Sequence, residues 1–205
     1  ARGGPVLELA IGTGRVALPL AARGVSVSGV DLSPHLVDQL RAKPGAERIS
    51  LTVGDMTSTR VDGTFKLVYL VWNAIMNVTT QDEQVAVFAN AAAHLESGGR
   101  FLVEVGVPEP PVPGQIGKVF TMDDQRVGID TYDDLSRQLM SSHHWIQVND
   151  RFIHHSGQFR YVWPSELDLM AMLAGLRLEH RWAGWRREDF TATSAQQVAV
   201  FKKVG

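Results

Sequence analysis

The chain has 205 residues, 44% hydrophobic and 20% charged, with 20 Lys and Arg against 22 Asp and Glu. That apolar share supplies a core for one domain and excludes intrinsic disorder, and the near-zero charge balance argues against a protein built to grip nucleic-acid phosphates. Cysteine is absent, no run of about 18 apolar residues exists, and no basic-then-apolar leader opens the chain, so the expectation is a cytoplasmic protein with no disulfides, membrane span or secretion signal.

Residues 1–5 contain no initiator Met and run directly into Val6-Leu7-Glu8-Leu9-Ala10, which reads as a short buried strand; the start is read as trimmed. Gly12-Thr13-Gly14 is a turn, and Val16, Leu18, Leu20 and Ala21 predict a helix over 15–22 that ends at Gly24. The alternation over 25–30 predicts a strand closed by Asp31, and Ser33-Pro34 starts a helix that runs to about Ala42, with Ser33 as N-cap. Strands are predicted over 49–53 and 65–72. Thr80 and Glu83 form a capping box for a helix to about Glu96, closed by Gly98-Gly99, and 100–105 is again a strand. Repeated strand–helix alternation specifies a parallel, doubly wound sheet, because a parallel crossover needs a helix-length connection.

At Val107 the pattern breaks: Pro108, Pro110, Pro111 and Pro113 stop any regular element. Residues 115–163 then read as consecutive strands. Asn149-Asp150 suits a two-residue turn with positive φ, pairing Val148 with Arg151, Ile146 with Ile153 and His144 with His155. A helix over 164–175 and strands over 176–182 and 196–202 complete the chain. The organisation expected is a single domain, 1–205, whose β-rich insertion, 107–163, covers the carboxyl edge of the sheet and forms a substrate pocket.

The informative segment is Glu8-Leu9-Ala10-Ile11-Gly12-Thr13-Gly14-Arg15. A glycine turn after the first strand admits a ligand close to the backbone at the carboxyl end of an α/β sheet. The third glycine of a dinucleotide site and the Lys-Ser/Thr of a P-loop are both missing, which counts against a nicotinamide oxidoreductase and a phosphate cradle. Glu8 would repel a pyrophosphate and suit a ligand carrying a cation; its alternative role is bracing the loop. Asp31, about 20 residues on, is placed to accept from two ribose hydroxyls, or else to cap the following helix. Asp55 can accept from an adenine amino group, with Met56 against the ring. Together the three loops read a nucleoside with no phosphate and a positive substituent.

These segments resemble the class I S-adenosylmethionine-dependent methyltransferases. Glu8-Leu-Ala-Ile-Gly12-Thr-Gly14-Arg15 is similar to that family's acid–x–x–x–Gly–x–Gly motif, Val27-Ser-Gly-Val30-Asp31-Leu-Ser-Pro34 to its second motif, Gly54-Asp55-Met56 to its third, and the segment His94 to Glu104 to its loop into the fifth strand. The resemblance implies a Rossmann-like seven-stranded sheet of order 3-2-1-4-5-7-6 with strand 7 antiparallel, and S-adenosylmethionine as cofactor, leaving S-adenosylhomocysteine. It also implies a cofactor site at Glu8, Ala10, Gly12, Gly14, Asp31, Leu32, Asp55, Met56, Trp72 and Asn73. The finer likeness is to small-molecule methyltransferases of actinobacterial type, some acting on amino sugars. Family members carry roughly 30–50 residues before the first strand, folded over the cofactor; this sequence starts at that strand, so the expectation is that part of the substrate wall lies outside it. Trp72-Asn73-Ala74-Ile75 lacks the Asn/Asp-Pro-Pro-aromatic signature of DNA amino-methyltransferases.

The function expected is methyl transfer to a nitrogen or oxygen of a small molecule, the alternative being a catalytically silent binder of S-adenosylmethionine. Catalytic candidates are His144, His155 and Tyr132, with Asp130 beside them. His144 and His155 share a hairpin face that permits a metal or a general base, or is a plain polar face, whereas adjacent histidines point to opposite faces and cannot chelate one metal alone; with no third ligand at fixed spacing, no metal is expected. Arg181, Arg186 and Arg187 near Trp182 and Trp185 are offset by Glu179, Glu188 and Asp189 and read as a solvated face. Expected partners are a small-molecule acceptor, with a homodimer left open, and neither nucleic acid nor membrane.

Overall fold

The structure is a computed structural model, and it describes residues 4–109 and 117–204. Its elements are β1 (Val6–Leu9), α1 (Ala17–Ala22), β2 (Val27–Asp31), α2 (Pro34–Arg41), β3 (Ile49–Val53), β4 (Phe65–Leu70), α3 (Gln81–His94), β5 (Leu95–Gly106), β6 (Gly117–Met122), β7 (Arg126–Asp134), β8 (Leu139–Val148), β9 (Arg151–Arg160), α4 (Pro164–Leu173), β10 (Leu176–Trp182) and β11 (Gln196–Lys203). Among the described residues, seven strands form one sheet in the order β3-β2-β1-β4-β5-β11-β10. The first five strands of that order are parallel, and β11 is antiparallel to both its neighbours. This is the order and the antiparallel last strand expected from the sequence. No helix among the described residues is long and apolar enough to cross a membrane.

Two apolar layers flank the sheet. Phe88, Val87 and Ala91 of α3 and Leu167 and Met170 of α4 bury one face, where Phe88 lies edge-on to Phe101 of β5 and Phe201 of β11, at 5.1 and 5.7 Å between ring centres. Ala17 and Ala21 of α1 and Leu40 of α2 cover the other face, against Val6, Val27 and Ile49. Burying each such Phe or Leu contributes roughly 1.5–3 kcal/mol, so the helices are held by their apolar faces more than by propensity. The caps follow the sequence: Ser33 Oγ accepts from Leu36 N at 3.3 Å, and Thr80 Oγ accepts from Glu83 N at 3.3 Å.

One boundary differs from expectation. Gly98-Gly99 does not close α3, because α3 stops at His94 and β5 begins at the next residue. The glycines instead form an irregularity inside β5, between the pairs Phe65–Leu95 and Leu67–Arg100. Gly98 has φ 73°, and a Cβ on Gly99 would lie 2.9 Å from the Glu96 carbonyl oxygen. The helix end is satisfied from far along the chain: Lys203 Nζ donates to the Ala92 and Leu95 carbonyls at 2.8 and 2.7 Å, placing a cation at the negative end of the helix.

The segment after β5 forms a second, antiparallel sheet, β6-β7-β8-β9. Its β8–β9 hairpin has the expected register, Val148–Arg151, Ile146–Ile153 and His144–His155. Asn149 and Asp150 have φ 48° and 60°, the mirror-image turn that matches strand twist. Pro110, Pro111 and Pro113, which the sequence marks as the break, lie outside the described residues. A buried polar hub ties this sheet to the main one. Arg160, 3% exposed at the end of β9, reaches Glu166 of α4 at 2.6 Å and Gln84 of α3. Burial opposes ionisation of Glu166, but hydrogen bonds from Gln138, Arg160 and Gln81 prevail and hold its carboxyl below the usual range.

Candidate functional site

At the carboxyl end of β1 the backbone turns through left-handed conformations at Ala10 (φ 54°), Gly12 (55°) and Gly14 (78°). The two glycines serve different ends. Gly12 lies on the wall of a cavity of about 600 Å³, and a Cβ there would meet nothing within 4 Å. Gly14 is not on that wall. A Cβ there would fall 2.4 Å from Leu40 Cδ1, so Gly14 lets the turn pack on α2.

Asp31, at the end of β2, anchors this loop. Gly12 N–H donates to its Oδ2 at 2.7 Å and Ser33 N–H to its Oδ1 at 2.9 Å. The carboxylate is 8% exposed and on the cavity wall, and an ionised carboxylate offers about four acceptor positions, so two remain for a ligand. The two sequence readings, ligand acceptor and cap, are therefore compatible in one residue.

Glu8 points into the same cavity from β1 and is only 3% exposed. Tyr69, its register neighbour on β4, donates its hydroxyl to Glu8 Oε2 at 2.9 Å. Burial pushes the Glu8 carboxyl up from 4.5 to about 7; the Tyr69 hydroxyl and the Ala17 backbone amide act against that, and Asp31 adds to it. The Tyr69 phenol is itself driven upward by burial and by the Glu8 charge. A carboxyl balanced near neutrality favours a cationic ligand over an anionic one.

Ala10, Leu32, Asp55, Met56 and Trp72 line the cavity as well. Leu32 is 70% exposed on this wall. Asp55 Oδ1 is engaged by the Thr57 amide and hydroxyl at 2.8 and 2.7 Å. Arg15 lays its guanidinium 4.3 Å from the Trp72 ring centre at the rim.

Trp72 and Asn73 follow β4 with φ 59° and 57°, a left-handed pair with no glycine. Such residues cost about 1–3 kcal/mol each and persist only when their surroundings fix them. Asn73 is on a different wall from Trp72: it lines a neighbouring cavity of about 190 Å³. Its side chain accepts from Gly106 N at 2.6 Å across the sheet end. Met76, Gly106 and Val107, beyond β4 and β5, form one side of this smaller cavity, and Lys118, Asp130, Tyr132, Met140 and Tyr161 of the second sheet form the other.

Tyr132 is therefore the catalytic candidate that the fold brings to a cavity, with Asp130 alongside. Its hydroxyl donates to the Glu109 carbonyl at 2.8 Å. Burial, with the Asp130 and Glu109 charges, raises its phenol above the ordinary value, so it stays protonated at neutral pH and is a donor rather than a base. His144 and His155 line neither cavity. His144 instead meets Arg126 at 3.2 Å and the edge of Phe120, and it is His143 and His154 that touch, at 3.2 Å, stacked with Trp145. His144 and His155 are register partners on the hairpin, as the turn predicts. Among the described residues no cluster of three or more His, Cys, Asp or Glu could hold a metal ion. Arg181 pairs with Asp168 at 2.6 Å.

Sequence reasoning missed Tyr69, Arg15, Asn77, Thr79 and Glu83 on or beneath the large cavity. Glu83 carried a legible signal, the capping box, but only for its structural role. Tyr69 carried none, because the β1–β4 register that sets it beside Glu8 joins residues 61 apart.

A methyltransferase domain family matches residues 6–99. The structure is similar to that of the CcbJ methyltransferase from Streptomyces caelestis, with 33% identity and a TM-score of 0.89 over 100% of this chain and 85% of that one. A cypemycin N-terminal methyltransferase from a Streptomyces species is 27% identical over 205 residues, 98% of this chain and 84% of that protein. The fold is shared with the S-adenosylmethionine-bound amino pentose methyltransferase CalS10 from Micromonospora echinaspora, at 22% identity and a TM-score of 0.73 over 99% and 84% of the two chains.

Proposed function

Because the chain belongs to the S-adenosylmethionine-dependent methyltransferases, we propose that it methylates a nitrogen or oxygen of a small molecule held beneath its second sheet. The observation that carries this reading is the pair of adjoining cavities, one acid-lined and large enough for a nucleoside, the other smaller, meeting at Trp72 and Asn73. Bound in the large cavity, S-adenosylmethionine supplies an activated methyl group on a sulfonium.

The residues present suit that group. The open face of Gly12 and the Ala10 backbone would take the methionine part, where a side chain at position 12 would fill the space. Asp31 would accept from the ribose hydroxyls with its remaining lone pairs, and Asp55 from the adenine amino group, with Met56 and Leu32 against the ring. Glu8 would ionise in the field of the positive ligand. In the small cavity, Asp130 would hold the acceptor and take its proton, beside Tyr132, whose hydroxyl is held by the Glu109 carbonyl. Aligning two reactants in this way supplies up to roughly 7–11 kcal/mol of a reaction barrier. The absence of cysteine supports a reducing, cytoplasmic setting.

The test is turnover with methyl-labelled S-adenosylmethionine against a panel of small amines and alcohols. Label should pass to at least one of them as S-adenosylhomocysteine accumulates. Tight cofactor binding with no transfer to any member of a broad panel would leave the silent binder as the better reading, and tighter calorimetric binding of NAD than of S-adenosylhomocysteine would return the nicotinamide reading.

A further inference from the structure

We propose that Glu104 is a positioning residue that fixes the wall shared by the two cavities. The proposal rests on reading the large cavity as the cofactor site. Glu104 lies in β5, one residue beyond the last β4–β5 register pair, Leu70–Val103. It lines neither cavity, yet both of its oxygens are committed. Oε2 accepts from Trp72 N at 2.9 Å, and Oε1 from the Trp185 indole N–H at 3.1 Å. Trp72 N–H belongs to the first of the two left-handed residues, the pair that faces Trp72 to the large cavity and Asn73 to the small one. Charge-assisted hydrogen bonds of this kind are roughly twice as strong as neutral ones.

The surroundings fix the pair at several points. Asn73 accepts from Gly106 N at 2.6 Å and Met76 N donates to the Asn73 carbonyl at 2.9 Å, while Val107 N donates to the Ala195 carbonyl at 2.9 Å and stitches the β10–β11 connection to the same strand end. Trp185 sits in that connection. One carboxylate thus joins the end of β4, the end of β5 and the loop before β11. Trp72 is 63% exposed, so apolar packing alone does not hold its ring, and the turn depends on these polar contacts. A carboxylate suits the position because it can accept from two donors at once; an amide offers only one oxygen.

The experiment measures calorimetric affinity for S-adenosylhomocysteine in the intact chain and follows the Trp185 indole N–H resonance in ¹⁵N-tryptophan-labelled protein. Glu104→Ala should weaken binding roughly tenfold, and Glu104→Gln and Trp185→Phe by about threefold each, since each leaves one of the two bonds. In the parent the Trp185 resonance should lie downfield, as for a donor to a carboxylate, and it should move upfield in Glu104→Ala and Glu104→Gln. A folded Glu104→Ala protein that binds within twofold of the parent overturns the proposal, as does an unmoved Trp185 resonance. If Glu104→Ala fails to fold, the same criteria apply to Glu104→Gln. A parent that does not bind S-adenosylhomocysteine at all sinks the cofactor reading instead, while the Trp185 resonance still answers for the clamp.

Discussion

Glu8 combines burial, a Tyr69 hydrogen bond and proximity to Asp31 in one carboxyl pushed up to about 7. Its folded value lies above its unfolded one, so between about pH 4.5 and 7 the folded state holds a proton that the unfolded state has lost. The stability this group contributes is complete below that window and is lost as pH rises through it. Glu8→Gln should therefore raise the melting stability of the ligand-free protein at pH 8, by about 3 kcal/mol, and leave it nearly unchanged at pH 4.5; equal melting at both pH values would refute the buried-carboxyl account. The same ionisation favours a cation, so affinity for S-adenosylmethionine should climb from pH 6 to 8 in the parent and be flat in Glu8→Gln, read by calorimetry. The two glycines of the first loop separate stability from function. Gly14→Ala meets Leu40 at a positive φ and should cost about 1–3 kcal/mol in denaturant unfolding. Gly12→Val also strains the backbone at φ 55°, but it projects into the open cavity and should abolish cofactor binding in protein that still folds.

At the scale of elements, α4 is where the two sheets are locked together. Arg160 and Glu166 are buried partners, and Gln84 and Gln138 complete their hydrogen bonds. Removing one partner leaves the other charged and buried, so Arg160→Leu should destabilise the protein by about 3–5 kcal/mol, whereas Arg160→Leu with Glu166→Leu should recover most of that. Hydrogen exchange should show the β8–β9 amides opening faster in the single variant than those of β1 and β4; uniform protection across both sheets would contradict the hub. The hub was not legible in the chain, because Arg160 and Gln84 are 76 residues apart and neither belongs to a periodic pattern. Local devices were legible: Ser33 and Thr80 cap the helices they precede, and Asn149-Asp150 sets the hairpin register, because each acts within a few residues of itself. Gly98-Gly99 misled for the opposite reason. A glycine pair after a helical stretch has the signature of a C-cap, but here the distant Lys203 satisfies the helix end, and the glycines are left to bend β5.

At the scale of the molecule, the two sheets divide the labour. The seven-stranded sheet presents the acidic cavity at the carboxyl ends of β1, β2 and β3, and the four-stranded sheet meets the carboxyl ends of β4 and β5 around the smaller cavity. Asp130→Asn should lower methyl transfer at least tenfold while leaving S-adenosylhomocysteine affinity within twofold, since Asp130 reaches only the small cavity; a parallel loss of cofactor affinity would show that the cavities are not functionally separate. The alternation of strand and helix, the glycine turn and the acids at 8, 31 and 55 were written in the order of residues, since periodicity and turn chemistry are local properties that a linear chain displays. Which acid would be buried and hydrogen-bonded by Tyr69, which glycine would face open space, which of Trp72 and Asn73 would face which cavity, and which of four hairpin histidines would touch were decided only when the strands took their register and the second sheet closed on the first. Those outcomes depend on neighbours brought together across dozens of residues, and the linear order of the chain does not record them.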